Sequence, residues 1–384
     1  MEGNGKSAFR FVLLLGVVSL FADATYESAR SITGPFLATL GASGAVVGIV
    51  AGFGELIGYA LRLLSGYIAD RTRQYWTLTI IGYVVNMGAV PLLAFAGRWE
   101  IAVVLIIAER VGKAIRTPAR DAMLSHAASQ IGRGWAFGVH EAMDQIGAVA
   151  GPLFLALILH AKGSYNQGFA WLAIPAVLGL SFLIAARLIY PNPREFEMTL
   201  PHLEGKGLPR VFWIYLAAAG LVAAGYTDFP LIAFHLKKSS ITTDQWIPVL
   251  YAVAMGVDAA AALLFGKLFD RMGLSVLVIA TAISTAFAPF VFLGDIRLAI
   301  VGMTLWGIGM GAQESIMRAA VGTMVSAERR ASAYGLFNAI YGAAWFAGSA
   351  LMGFLYDISI PFLIAFSVVT QTIAIIILLR IPKK

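Results

Sequence analysis

Asp23, Glu27 and Arg30 lie at i, i+4 and i+7, so a helix through them carries all three on one stripe. The stretch before them, Phe11 to Ala22, is an apolar run with no turn signal ahead of the acids. Desolvation makes a carboxylate hold its proton more tightly, so acids set into an apolar helix are suited to loading and releasing protons. Their alternative role is an internal salt bridge that stiffens the helix. Glu141 and Asp144, at i and i+3 in HEAMD, form a second pair of candidate proton-coupling acids. Arg110 and Lys113 share one face of the run ERVGKAIRTPARDA and, with Arg30, could hold an anionic substrate group or pair with Asp23 and Glu27. A shared network of these charges is expected, because ionisable groups inside a membrane mark functional sites. Arg116, Arg120 and Asp121 lie further along that run, where snorkelling or a latch is the expected role. HEAMD is only half of an HExxH motif, with Asp144 where the second His would stand, so neither metal nor cofactor is expected.

The elements that must hold these groups are membrane helices. Of 384 residues 59% are hydrophobic and 13% charged, which leaves too little polar surface to coat a soluble chain. Apolar segments recur at 10–32, 43–69, 75–97, 100–125, 134–160, 166–190, 210–235, 245–269, 274–293, 296–322, 331–356 and 360–381. Each is near or above the roughly 20 residues that cross a bilayer. The +7 net charge sits mainly in loops on one side, at Arg71, Arg73, Arg133, Arg194, Lys206, Arg210, Arg271, Arg329 and Arg330. That is the pattern of membrane orientation and not of nucleic-acid binding, and it puts both termini in the cytoplasm. Lys6 and Arg10 before a short apolar stretch loosely resemble a secretory leader, but the repeat described next makes 10–32 a structural helix.

The chain is duplicated. GYIADR at 66–71 returns as GKLFDR at 266–271, and at the same shift Tyr26 meets Tyr226. Gly138 and Gly151 return as Gly335 and Gly348 at a shift of 197. The Pro- and charge-rich stretch 191–209 separates the copies, so the expected domains are 1–190, a cytoplasmic linker 191–209, and 210–384. The expected fold is all-α: twelve transmembrane helices in two pseudo-symmetric six-helix bundles, with a substrate site between them. Acids and bases concentrate in the first copy, which therefore is expected to couple protons. The second copy offers Tyr226, Asp228, Gln313 and Tyr341 for substrate, with Phe229, Trp306 and Trp345 as further aromatic candidates. Glycine rows Gly44, Gly48, Gly52 and Gly307, Gly311 read as close-packing surfaces.

With these features the whole chain resembles the major facilitator superfamily. Gly66, Asp70 and Arg71 match the family's loop signature between helices two and three, and Gly266, Asp270, Arg271 and Gly273 repeat it. Arg73 stands where the signature has its second glycine, and Gln74 and Tyr75 replace its basic pair. The resemblance implies that Asp70, with its neighbours and Arg120, latches the cytoplasmic side against charges and a helix N-terminus of the other half. Gly138, Gly147, Gly151 and Pro152 keep the spacing of the helix-five motif of the family's proton antiporters, while Ala156 and Leu157 replace its trailing glycine pair. Arg110 matches the helix-four arginine of the drug antiporters, with Lys113, Ala114 and Arg116 replacing its neighbours. The resemblance implies a proton-coupled transporter of a small organic solute by alternating access, an efflux antiporter in a bacterial inner membrane, acting as a monomer. A symporter importing an organic anion is the second expectation. A membrane-embedded enzyme is disfavoured, because neither HExxH nor GxSxG is present.

Overall fold

The computed structural model describes residues 2–161, 163–191, 207–325 and 330–381. Among the described residues the secondary structure is helical throughout. The first run of helices is α1 (Glu2–Thr39), α2 (Gly44–Thr72), α3 (Tyr75–Leu92), α4 (Trp99–Ile131), α5 (Arg133–His160), α6 (Tyr165–Trp171) and α7 (Ala173–Ile189). The second is α8 (Arg210–Gly225), α9 (Phe229–Lys238), α10 (Trp246–Met272), α11 (Ser275–Ser284), α12 (Phe287–Leu293), α13 (Ile296–Met324), α14 (Arg330–Ile358) and α15 (Ile360–Leu379). Among the described residues ten helical segments are long and apolar enough to cross a membrane. The more heavily charged α4 and α13, with 33 and 29 residues, also have the length.

Three segments expected to be continuous are broken, and one rule explains all three. The breaks follow Trp171, Gly225 and Ser284, and Pro175, Pro230 and Pro289 lie just beyond them. A proline cannot donate to the carbonyl four residues back and its ring collides with it, so the helix stops and restarts. Pro35, Pro91, Pro118 and Pro152 are instead carried inside helices α1, α3, α4 and α5. The break between α8 and α9 is stabilised from outside: the Gly225 carbonyl accepts from Ser367 Oγ at 2.7 Å and Gln371 Nε2 at 3.3 Å. The Thr227 carbonyl accepts from Trp306 Nε1 at 2.9 Å. Freed backbone groups are tolerated at membrane depth only when side chains satisfy them in this way.

Packing divides the chain into two compact units. One comprises Met1–Ser31 with Ile57–Pro201, the other Ile32–Leu56 with His202–Lys384. Most of the linker read from the sequence, 192–206, lies outside the described residues. In the first unit, Phe11 packs edge-on to Trp76 and Tyr190, and Trp76 Nε1 donates to the Tyr190 carbonyl at 3.0 Å. Glycines bring the polar helices together. A Cβ at Gly82 would strike Arg116 and Gly112, and one at Gly112 would strike Asn86, so α3 and α4 touch through their backbones. A Cβ at Gly147 would meet the Leu20 carbonyl, and one at Gly151 would meet Ala24 and Ser28, so α5 lies directly on α1. In the second unit the glycine rows pack as their spacing predicts: Gly307 and Gly311 on α10, and Gly48 and Gly52 on α14.

The α1–α5 contact makes a prediction. Gly151→Val should destabilise the protein by about 1–3 kcal/mol through overpacking. Gly138→Val, where a Cβ meets open space, should change little. Thermal unfolding of the detergent-purified protein compares the two.

Candidate functional site

The close helix approaches put a polar cluster inside the first unit, built from α1, α3, α4 and α5. Its hub is Ser19 on α1, one turn before Asp23. Ser19 Oγ lies 2.9 Å from His140 Nε2, accepts from Arg120 Nη1 at 2.9 Å, and lies 3.3 Å from the Tyr83 hydroxyl. The Arg120 guanidinium donates from Nε and Nη2 to Asp121 Oδ1 at 2.9 and 2.8 Å, and its Nη1 stands 4.0 Å from Asp144 Oδ2. His140 Nδ1 is 3.5 Å from the same Asp144 oxygen. Asp144 Oδ1 is buried without a hydrogen-bond partner. Serine, histidine, aspartate and arginine thus form one connected path on three helices.

A second layer lies one to two turns away along α4. Lys113 Nζ sits 3.8 Å above the Tyr26 ring, and the Arg116 guanidinium stands 4.3 Å from the Tyr83 ring and 5.9 Å from that of Tyr26. Cation–π contacts stabilise such charges most where water is excluded. Asp23 and Glu27 are both 7% exposed, and Lys113, Arg116 and Glu27 are the charges acting on Asp23. Glu109, also buried, accepts from Asn86 Nδ2 at 2.7 Å and pairs with Arg110 Nε at 3.3 Å.

The structure therefore brings Asp23, Glu27, Arg110, Lys113 and Asp144 into one neighbourhood, and leaves Glu141 exposed on α5, where Gln145 Nε2 approaches its carboxylate at 3.4 Å. Arg116 differs from expectation: it is 1% exposed and wedged among tyrosines rather than snorkelling, because Gly82 and Gly112 seat it between α3 and α4. Arg120 lies in the Ser19–Asp144 path. Asp70 and Arg71 are exposed at the end of α2, where Arg71 donates to the Tyr67 hydroxyl at 2.9 Å, and Gly66 faces Pro118. Arg73 has a positive φ of +58°, and Gly273, at the corresponding position of the second copy, has φ +57°. Asp270 and Arg271 are exposed at the end of α10.

The second unit gathers its own set. Asp228, in the break between α8 and α9, accepts from Trp345 Nε1 at 2.9 Å and Ser349 Oγ at 2.7 Å. The Tyr226 hydroxyl donates to the Trp306 carbonyl, and Tyr341 donates to Gln313 Oε1 at 2.8 Å. The Tyr226 ring lies 5.7 and 6.1 Å from those of Trp306 and Trp345. Of the seven residues expected from sequence to contact substrate, the four of the second half, Tyr226, Asp228, Gln313 and Tyr341, are buried here among aromatic rings.

Sequence reasoning passed over Ser19, Tyr83, Asn86, Glu109 and, except as half of a metal motif, His140. Ser19 sits one turn before Asp23 on the charged stripe, and His140 at i, i+4 to Asp144, so both spacings were visible.

Buried charge on several helices of lipid-crossing length in the first unit, and a helix broken within such a span in the second, mark a polytopic membrane transport protein. The sequence profile of the Major Facilitator Superfamily matches residues 13–238 and 211–384. An uncharacterized protein of Mycobacterium tuberculosis is 43% identical over 387 residues, covering 98% of this chain and 94% of its own. The class D tetracycline resistance protein of Salmonella ordonez is 29% identical over 152 residues, covering 39% of this chain and 38% of its own. The solved structure of a nucleoside transporter superposes with a TM-score of 0.78 at 15% identity, covering 96% of this chain and 99% of its own. The chain belongs to the Major Facilitator Superfamily, and it is a multi-pass membrane transporter rather than an enzyme.

Arg120→Gln should destabilise the protein by about 1–3 kcal/mol, because it removes the cation that faces Asp144 and donates to Ser19. Arg120→Lys should recover part of the loss, since an ammonium lacks the guanidinium fork. Thermal unfolding midpoints check both.

Proposed function

We propose that this protein exports a small organic solute from a bacterial cytoplasm in exchange for protons, by alternating access. The observation that carries the reading is the path Ser19–His140–Asp144–Arg120, continued by Asp23, Glu27, Lys113 and Arg116. Titratable groups buried at membrane depth are costly, and a connected series of them is what a proton relay requires. With Asp144 ionised, Arg120 is drawn towards it. Protonation removes that attraction and leaves Arg120 to Asp121, which changes how α4 is held against α5. Asp23 and Glu27 respond in the same manner to Lys113 and Arg116. Glu141, exposed on α5, is the remaining acid of this set. The second unit, with Tyr226, Asp228, Gln313 and Tyr341, supplies substrate contacts. Both termini face the cytoplasm of the inner membrane, and the monomer is the working unit. The likeness to a tetracycline resistance protein over part of the chain favours export.

One observation favours a second reading, symport of an organic anion. Arg116 Nε and Nη1 are buried and make no hydrogen bond, and Lys113 Nζ lies over the Tyr26 ring beside them. A buried guanidinium with two unfilled donors suits a carboxylate or phosphate on the solute.

Proteoliposomes with an imposed pH gradient separate the readings, because antiport and symport move protons in opposite senses relative to solute. Asp23→Asn and Asp144→Asn should each abolish gradient-driven transport while solute-induced thermal stabilisation persists. Full-rate transport with unchanged pH dependence in both variants would refute the coupling assignment.

A further inference from the structure

At the opposite end of α2 from Asp70, the helix is closed by a residue more than 300 positions away. The Gly44 and Ala45 N–H groups donate to Asp357 Oδ1 and Oδ2 at 3.0 and 2.8 Å. The chain's own cap, Ser43 Oγ, reaches only the Val46 N–H, at 3.2 Å. The first turn of a helix leaves four N–H groups without intrahelical partners, and its dipole favours an anion there. Asp357 therefore satisfies two donors that local sequence leaves open. The approach is built for it: a Cβ at Gly44 would strike Tyr356 and Asp357, and one at Gly48 would strike the Ser349 carbonyl and Gly353. Helices α2 and α14 run in backbone contact below the cap, and Phe53 meets Phe346 further along. All these residues belong to the second unit.

We infer that Asp357 is a gate-positioning residue, a carboxylate latch that holds the first half of α2 against α14 and must release for that end of the protein to open. It is the counterpart of the latch that the family resemblance implies for Asp70. Asp70 lies on the last turn of α2, and Asp357 lies on the last turn of α14 and caps the start of α2. Charge patterning puts the Gly44 end of α2 on the non-cytoplasmic side. Removal of the two latches therefore biases the transporter in opposite directions. The duplicated position, at the 197-residue shift, is His160, so the repeat supplies a single carboxylate of this kind. The inference rests on the alternating-access reading proposed above.

The chain contains no cysteine, so one introduced thiol reports cleanly. Val47→Cys, at a position 1% exposed on α2, is labelled with a charged maleimide in full-length protein in lipid nanodiscs. Asp357→Ala should raise the labelling rate about tenfold, the equilibrium equivalent of one lost helix cap. Asp70→Asn should slow it, and the double variant should return towards the parent rate. If the alanine variant does not fold, Asp357→Leu, of similar size but with no acceptor, gives the same reading. An unchanged rate in a folded Asp357 variant overturns the latch. Transport that survives with labelling indifferent to Asp357 sinks the latch alone. Labelling that responds, in a protein that moves no solute against a proton gradient, sustains the latch and sinks the transport reading.

Discussion

The constraint on which this structure depends is the cost of charge away from water. A helix that crosses lipid can carry an acid or a base only if a neighbouring helix supplies the opposite charge, a hydrogen-bond donor or an aromatic face. The first unit meets this demand with helices packed closely enough for short polar side chains to meet. Gly147 and Gly151 lay α5 on α1, and Gly82 and Gly112 lay α3 on α4. Only then do Ser19, His140, Arg120 and Asp144 come within reach of one another. The glycines have no chemistry of their own, but the chemistry has no geometry without them.

The second unit meets the same constraint for a different reason. Its problem is backbone: the break between α8 and α9 frees carbonyls that a bilayer cannot hydrate. Ser367, Gln371 and Trp306 supply the missing donors, and Asp228 is held by an indole and a hydroxyl within an aromatic core. The two units therefore differ in kind although they descend from one repeat. One stores charge that protons can neutralise. The other holds an interrupted helix among aromatic rings. Glycine rows such as Gly44, Gly48 and Gly52 let α2 lie directly on α14, so the end of that contact is closed by a single carboxylate.

Membrane class, helix positions, the duplication and the charged stripes were legible in the sequence, because each follows from local composition or from periodicity along one segment. Hydropathy alone locates the spans, and i, i+4 spacing alone sets Asp23 and Glu27 on one face. The breaks ahead of Pro175, Pro230 and Pro289 were also written there, but four other prolines are carried inside helices, so proline by itself does not distinguish a break from a bend.

What the sequence by itself determined, then, is which face of each helix is polar. Which helix each face meets was decided only by the tertiary structure. Arg116 reads as a terminal cation until Gly82 and Gly112 bury it among tyrosines, and His140 reads as half of a metal site until Ser19 meets it from 121 residues away. Asp357 reads as a loop acid until it closes α2. Periodicity describes one helix at a time, whereas pairing depends on crossing points between helices distant in the chain, and those are set by packing of the whole unit.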